Sequence, residues 1–154
     1  MTHKEALKKL MKYCAYQERC QKEVREKLYE IEAPTESIEH IITELISENF
    51  LNEERFATSY ARGKFYYKQW GKKKIEQELK FRNISTYCIN KGFKEIDNND
   101  YIATLSNLCC KKLESLGGSL NINVKNKIQN YLYNKGYESD LIWQCINELE
   151  NEEK

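Results

Sequence analysis

Residues 50–85, FLNEERFATSYARGKFYYKQWGKKKIEQELKFRNIS, decide the fold of this chain. They predict two helices joined at Gly71, because glycine commonly interrupts a helical pattern. Asn52 is a suitable cap for the first helix, and two glutamates follow where the helix dipole favours acidic side chains. The second helix starts with three lysines and then buries Ile75 and Leu79, one turn apart. The first helix presents an inward stripe of Phe56, Ala57, Tyr60 and Ala61.

The same stretch is strongly basic. Residues 51–82 carry nine Lys or Arg and four Glu, which gives a local net charge of +5. Three lysines in the first turn oppose the helix dipole, at about 0.3–1 kcal/mol per charge. Helix stability therefore does not explain why lysines occupy positions 72, 73 and 74. Either this face is simply solvated on a lysine-rich protein, or it forms a surface for an acidic protein or a nucleic acid.

The charge of the whole chain is nearly balanced. Its 154 residues include 25 basic and 24 acidic side chains, so any preference for a partner must come from local asymmetry. Residues 138–154 carry six acidic side chains against one lysine, so the middle is basic and the tail acidic. No apolar leader follows Met1, and no apolar run approaches the roughly 20 residues that span a bilayer. We therefore expect a cytoplasmic protein with no signal peptide and no membrane-spanning segment.

The residues that commonly carry chemistry are not arranged as sites. Six cysteines are present without a C-x-x-C spacing, and His3 and His40 have no ligand-like spacing to a cysteine pair. We expect reduced thiols, several of them on apolar stripes as small hydrophobic residues: Cys14, Cys109 and Cys145. The chain has no Gly-rich phosphate loop, no H-E-x-x-H and no locally supported Ser/His or Cys/His arrangement. We expect no metal site, no cofactor and no enzymatic activity.

Helical periodicity extends along the chain, which has one proline, six glycines and no period-two strand pattern. The pair Val24-x3-Leu28 recurs as Ile75-x3-Leu79 and Ile128-x3-Leu132, at offsets of 51 and 53 residues. Three further apolar positions repeat at the same offsets. The sequence therefore predicts an all-α protein of about nine helices, an elongated array of three tandem, helix-turn-helix-like, three-helix repeats. The predicted repeats are residues 1–49, 50–97 and 98–154.

The middle repeat resembles the signature of the bacterial RecX regulatory proteins. The resemblance rests on Leu51-x4-Phe56-Ala57-x2-Tyr60, on Arg62 and on Gly71-x3-Ile75-x3-Leu79, and a looser match includes Leu132-x3-Gly136-Tyr137-x4-Ile142. It implies a non-enzymatic modulator of the RecA recombinase, acting in recombination, DNA repair and the SOS response. Family members lie in the groove of the RecA–single-stranded-DNA filament. Most of them inhibit its ATP hydrolysis, strand exchange and coprotease activity.

The resemblance implies that the basic residues of the stretch 51–82 face an acidic surface of the recombinase or exposed phosphate. Tyr66 and Trp70, in the same stretch, either stack on a guanidinium group or a base of the partner, or pack between repeats. The expected partner is the RecA filament, bound by a monomer. The predicted partner-binding residues are Arg55, Arg62, Lys64, Tyr66, Trp70, Lys72, Lys73 and Lys74.

Two alternatives stay open. One is an autonomous helix-turn-helix-type DNA-binding protein, whose recognition helix would begin at Lys72–Lys74. The near-neutral total charge argues against strong DNA binding by the protein alone, so we expect only weak contact with single- or double-stranded DNA. The other alternative is a helical-repeat adaptor for a different protein partner.

Overall fold

The computed structural model describes residues 1–153, and these residues form helices and connecting turns, without a strand. A short 3₁₀ turn, Thr35–Ser37, precedes the third α-helix. The prediction of an all-α protein with nine helices is confirmed for this part of the chain. The α-helices are α1 (His3–Tyr16), α2 (Gln21–Glu30), α3 (Ile38–Ser47), α4 (Glu53–Tyr66), α5 (Lys72–Phe81), α6 (Thr86–Phe93), α7 (Asn98–Ser115), α8 (Ile122–Lys135) and α9 (Ser139–Glu153).

Backbone contacts group the chain into two compact units. The first comprises Met1–Tyr60 and Glu78–Gly92, and the second comprises Ala61–Gln77 and the chain from Phe93 onward. The middle predicted repeat, residues 50–97, contributes residues to both units. The repeat boundaries 1–49, 50–97 and 98–154 therefore stay a prediction, because compactness divides the chain differently.

In the first unit, helices α1, α2 and α3 bury the stripes that the periodicity predicts. Val24 and Leu28 are fully buried, and so are Ile41 and Leu45 on the facing helix. Some of the helix starts in this unit are capped by the side chains that their sequences suggest. For example, the Asn52 side chain accepts a hydrogen bond from the Arg55 N–H at 2.9 Å.

In the second unit, helices α7, α8 and α9 pack against one another around aliphatic residues such as Leu105, Ile128 and Ile142. Beside them lie three aromatic rings. The Phe65 and Tyr101 ring centroids are 5.5 Å apart, and those of Tyr101 and Tyr137 are 5.3 Å apart. All three side chains are almost fully buried. They connect the end of α4 to α7 and to the turn between α8 and α9.

The same turn ends the second helix of each repeat. Left-handed residues stand at Glu32 (φ 58°), Asn83 (φ 61°) and Gly136 (φ 103°), separated by the same 51 and 53 residues as the apolar pattern. In each case the N–H of the next residue donates to a leucine carbonyl five positions back, a typical helix C-terminal motif. These bonds are Ala33 to Leu28 (3.0 Å), Ile84 to Leu79 (3.0 Å) and Tyr137 to Leu132 (3.1 Å).

Candidate partner-binding surface

The start of α5 is held by the turn that follows α8. The Gly71 N–H donates to the Lys135 carbonyl at 2.8 Å, and the Lys73 N–H donates to the Gly136 carbonyl at 2.9 Å. A Cβ atom on Gly71 would lie 2.2 Å from the carbonyl carbon of Gly136, so no larger residue fits there. Glu32 and Asn83 adopt the equivalent left-handed turn without being glycine. The close approach to Lys74 and Gly71 is therefore the stronger reason for a glycine at position 136.

Two buried tyrosines reinforce this junction. The Lys72 N–H donates to the Tyr101 hydroxyl at 2.9 Å, and that hydroxyl donates to the Glu138 carboxylate in a short hydrogen bond. The Tyr137 hydroxyl donates to the Gln69 carbonyl at 2.9 Å. Burial, followed by the hydrogen bond to Glu138, raises the pKa of Tyr101 far above its ordinary value, so this phenol stays protonated. The N–H groups of Lys72 and Lys73, at the start of α5, are therefore already bonded within the protein.

The lysines of this first turn are packed in different ways. The Lys72 Nζ lies 4.7 Å from the Tyr101 ring centroid, and the Lys74 Nζ lies 4.3 Å from the Trp70 ring centroid. Lys64, on α4, approaches the same indole at 4.8 Å. Attraction between a cation and a ring face offsets part of the unfavourable position at a helix start. Lys73 is exposed, so its side chain is the most accessible of the three.

Arg62 and Tyr66 lie at the end of α4, where they and Tyr67 line a shallow depression of about 340 Å³. The Tyr66 hydroxyl donates to the Asp100 carboxylate at 2.8 Å and accepts from the Asp97 N–H at 3.3 Å. Tyr66 is therefore tied to the start of α7. Arg62 is exposed beside it.

Arg55 has a different environment from the other predicted residues. Its guanidinium pairs with Glu18 through a short contact and donates to the Asn49 carbonyl at 3.0 Å. These bonds lie within the first unit and fix the chain after α3. The other predicted residues, 62–74, belong to the second unit. The structure therefore brings seven of the eight together in one unit and gives Arg55 a structural role in the other.

Three basic or aromatic residues of the second unit were not predicted from the sequence: Lys112, Tyr131 and Lys135. The Tyr131 ring lies 4.7 Å from the Lys112 Nζ and 5.7 Å from the Lys135 Nζ. Burial first, and then the positive charge of Lys74, lowers the pKa of Lys135, so these two lysines are electrostatic neighbours. The quoted patterns contained Gly71 and Gly136, but spacing gave no sign that the two glycines touch.

The packing around α5 bears on the DNA-binding alternative. A recognition helix presents its N-terminal residues to base edges. Here Lys72 and Lys74 lie on aromatic rings, and the Lys72 and Lys73 N–H groups are bonded to residues of the second unit. This arrangement disfavours α5 as a recognition helix.

Two negative findings concern residues 1–153. Within this range no group of three or more His, Cys, Asp or Glu is placed to hold a metal ion. Across the same residues, no helix is both long and apolar enough to cross a membrane.

Three protein-family models match the chain in order. They are described as the first, second and third three-helix domains of RecX, and they match residues 6–45, 52–92 and 99–146 respectively. Curated relatives named "Regulatory protein RecX" include those of Bacillus cytotoxicus, 27% identical, and Bacillus mycoides, 26% identical, each over 140 residues. These alignments cover 91% of this chain but 52% of each relative. The chain thus spans about half the length of the curated relatives it matches.

Solved structures give the same grouping. The crystal structure of RecX from Lactobacillus salivarius is similar with a TM-score of 0.83 and 26% identity, covering 96% of each chain. A second structure, described as a crystal structure of regulatory protein RecX, has a TM-score of 0.84 over 94% of this chain and 71% of that one. At 22% identity it supports the fold alone. With all three RecX domains matched in order, the resemblance is confirmed, and this chain belongs to the RecX family of regulatory proteins.

Proposed function

We propose that this protein is a non-enzymatic regulator that binds the RecA–single-stranded-DNA filament and inhibits its ATP hydrolysis, strand exchange and coprotease activity. The observation that carries the proposal is the ordered match to all three RecX domains. The family name implies regulation of RecA. Since the curated relatives are about twice as long, their action is extended to this chain as part of the proposal. We propose further that the protein acts as a cytoplasmic monomer.

The second unit supplies the contact surface in this proposal. Arg62 and Lys73 are the exposed cations of the predicted set and meet acidic side chains or phosphate directly. The guanidinium of Arg62 offers a planar fork that matches a carboxylate or phosphate. Lys64, Lys72 and Lys74 are partly buried on aromatic rings and add to the positive potential. Arg55 supports the fold and makes no contact with the filament.

Binding to assembled filaments tests this function. RecA filaments are formed on an immobilised single strand with a non-hydrolysable ATP analogue, and bare single strand serves as the reference surface. We expect the protein to bind filaments more tightly than bare DNA. The variant Arg62→Glu/Lys73→Glu should lose about tenfold or more in affinity, equivalent to at least about 1.4 kcal/mol.

The matched control is Lys8→Glu/Lys9→Glu, which makes the same charge change at exposed positions of the first unit. It should bind filaments within about twofold of the unchanged protein. A folded protein that binds filaments no better than bare DNA would contradict the proposed function. If both variants lose filament affinity to the same extent, residues 62–74 do not form the contact surface.

A further inference from the structure

A small pocket lies in the first unit, among the start of α2, the end of α3 and the start of α4. Its volume is about 250 Å³, below the roughly 300–1,000 Å³ that is typical of small-molecule sites. The space is therefore suited to one long side chain of a partner rather than to a cofactor. The lining residues are Gln21, Ile46, Asn49, Leu51, Asn52 and Glu53.

One side of this pocket is apolar. Leu51 is 2% exposed and belongs to the core of the first unit, so it forms a fixed surface. Ile46 is 46% exposed, whereas the other apolar side chains of α3 are buried. An aliphatic chain that lies on Ile46 and Leu51 would remove this hydrophobic surface from water.

The other side carries oxygen atoms that accept hydrogen bonds. The Glu53 carboxylate accepts from the Gln21 N–H, which uses one of its roughly four acceptor positions. The Asn52 Oδ1 accepts from the Arg55 N–H at 2.9 Å, and the Asn49 Oδ1 accepts from the Arg55 guanidinium at 3.2 Å. Each amide oxygen has a second lone pair. The polar side therefore matches a ligand head that only donates hydrogen bonds.

The charge around the pocket is negative. Residues 28–54 contain eight glutamates and no lysine or arginine, and three of these glutamates form ion pairs within the first unit. The next cation along the chain, Arg55, is paired with Glu18. Burial raises the pKa of Glu53, although the hydrogen bond from the Gln21 N–H opposes this shift. A cation beside Glu53 would favour its charged form.

An aliphatic wall next to a carboxylate and amide oxygens matches one type of side chain. Arginine has an apolar stem, and its planar guanidinium carries five N–H donors and no acceptor. That fork spans neighbouring oxygen atoms better than the single ammonium of lysine does. We propose that this pocket binds an arginine side chain of a protein partner, with its stem on Ile46 and Leu51 and its guanidinium on Glu53. The site goes beyond the proposed function, because it lies in the first unit and does not require the partner to be RecA.

Nuclear magnetic resonance of the protein labelled at isoleucine and leucine methyl groups tests this site. The probe is a short peptide that contains one arginine and is blocked at both ends. The Ile46 and Leu51 methyl resonances should shift and saturate with a Kd on the order of 1 mM, since a single side chain offers few contacts. The same peptide with citrulline, which has the shape of arginine without its charge, should bind about tenfold or more weakly.

Two variants and a matched control assign the pocket. Glu53→Gln keeps an acceptor for the Gln21 N–H but removes the charge, so it should weaken binding of the arginine peptide about tenfold or more. Ile46→Ser removes the exposed part of the apolar wall and should weaken binding about threefold or more, measured at the Leu51 methyl groups. Glu54→Gln makes the same charge change at an exposed neighbour outside the pocket, and its affinity should stay within about twofold. Methyl resonances of the remaining core at unchanged positions establish that each variant is folded.

Three results would each overturn the proposal: equal losses in Glu53→Gln and Glu54→Gln, equal binding of the citrulline peptide, or no saturable shift of the Ile46 and Leu51 methyl groups. The experiment contains no RecA, so its outcome is separate from that of the filament assay. A protein that binds the arginine peptide but no RecA filaments would contradict the proposed function and leave this site in place.

Discussion

The backbones of Gly71 and Gly136 are in direct contact, so close that a Cβ atom on Gly71 would lie 2.2 Å from the Gly136 carbonyl carbon. This contact places the start of α5 against the turn after α8. It is accompanied by hydrogen bonds from the N–H groups of Gly71 and Lys73. The position of the basic residues around Trp70 thus depends on the third repeat as well as the second.

Replacing either glycine with alanine should destabilise the protein. Gly71→Ala forces backbone atoms apart, and Gly136→Ala adds a Cβ at a φ of 103° and 2.4 Å from that of Lys74. We expect each change to lower the free energy of unfolding by about 2–3 kcal/mol or more, measured by urea denaturation.

Gly63→Ala is the control for these variants. Gly63 lies within α4, and a Cβ there would have no atom within 4 Å. Since alanine favours a helix over glycine, this change should raise the free energy of unfolding by about 0.5–1 kcal/mol. If Gly71→Ala and Gly136→Ala are as stable as Gly63→Ala, the close backbone contact is wrong.

Tyr101→Phe should cost stability without changing the packing of the ring. The substitution removes the hydroxyl that accepts from the Lys72 N–H and donates to Glu138, leaving a part-buried donor and a carboxylate unpaired. We expect a loss of about 1–3 kcal/mol in the free energy of unfolding. Tyr67→Phe, at a position that is 87% exposed, is the control and should change it by less than about 0.5 kcal/mol. Equal stability of the two variants would exclude the hydrogen-bonded role of Tyr101.

Arg55 and Glu18 should be coupled in stability. Arg55→Ala removes the ion pair to Glu18 and the hydrogen bond to the Asn49 carbonyl, both within the first unit. In a double-mutant cycle with Glu18→Gln, we expect a coupling energy of about 0.5–1 kcal/mol, because the pair is partly exposed. Folded Arg55→Ala should retain RecA-filament binding within about twofold. If Arg55→Ala instead loses much of its filament affinity while its stability is unchanged, Arg55 contacts the filament directly.

The cysteines should divide into slow and fast classes in thiol labelling. Cys14, Cys20 and Cys109 are buried, and burial raises the pKa of the first two to about 11 and of the third to about 12, from an ordinary value of 9.0. Cys88 and Cys110 are partly exposed and should react faster with a thiol reagent at pH 8. Rapid labelling of the buried thiols in the folded protein would contradict the packing around them.

The same shifts predict how stability depends on pH. A thiol whose pKa is raised in the folded state stabilises the protein fully below the unfolded pKa, near 9, and this contribution is lost as pH rises through the folded value. The free energy of unfolding should therefore fall between pH 9 and about pH 11 or 12. Replacing Cys20 with serine or alanine should make that fall shallower. If the free energy of unfolding of those variants depends on pH as in the unchanged protein, Cys20 does not contribute to the fall.

Much of the fold follows from local patterns in the sequence. Pairs such as Val24 and Leu28 repeat at fixed offsets, and burial of one helix face requires that spacing. The turn that ends the second helix of a repeat is also partly predictable from the sequence. Asn83 and Gly136 are residue types that tolerate the left-handed geometry found there. Glu32 in the same conformation was not predictable from its side chain. Its turn is instead stabilised by the burial of Leu28 and Ala33 on either side.

The candidate surface was only partly predictable. Lys72, Lys73 and Lys74 stand out because they oppose a helix dipole, which is a local signal. The pairing of Arg55 with Glu18, and the approach of Lys135 to Lys74, join residues that are distant in sequence and carry no periodic signal. Such contacts arise only from tertiary packing. Tyr66 and Trp70 could be predicted either to stack on a partner or to pack within the protein, and the structure gives both of them partners within the second unit.

ATP hydrolysis by the cognate RecA on single-stranded DNA, with this protein at substoichiometric amounts, is the most direct measurement of the proposed regulation. We predict suppression by the unchanged protein and by Lys8→Glu/Lys9→Glu, and about tenfold or more weaker suppression by Arg62→Glu/Lys73→Glu. Hydrolysis that continues at the same rate with folded protein bound to the filaments would contradict inhibition. Equal suppression by both variants would contradict the assignment of the second unit as the contact surface.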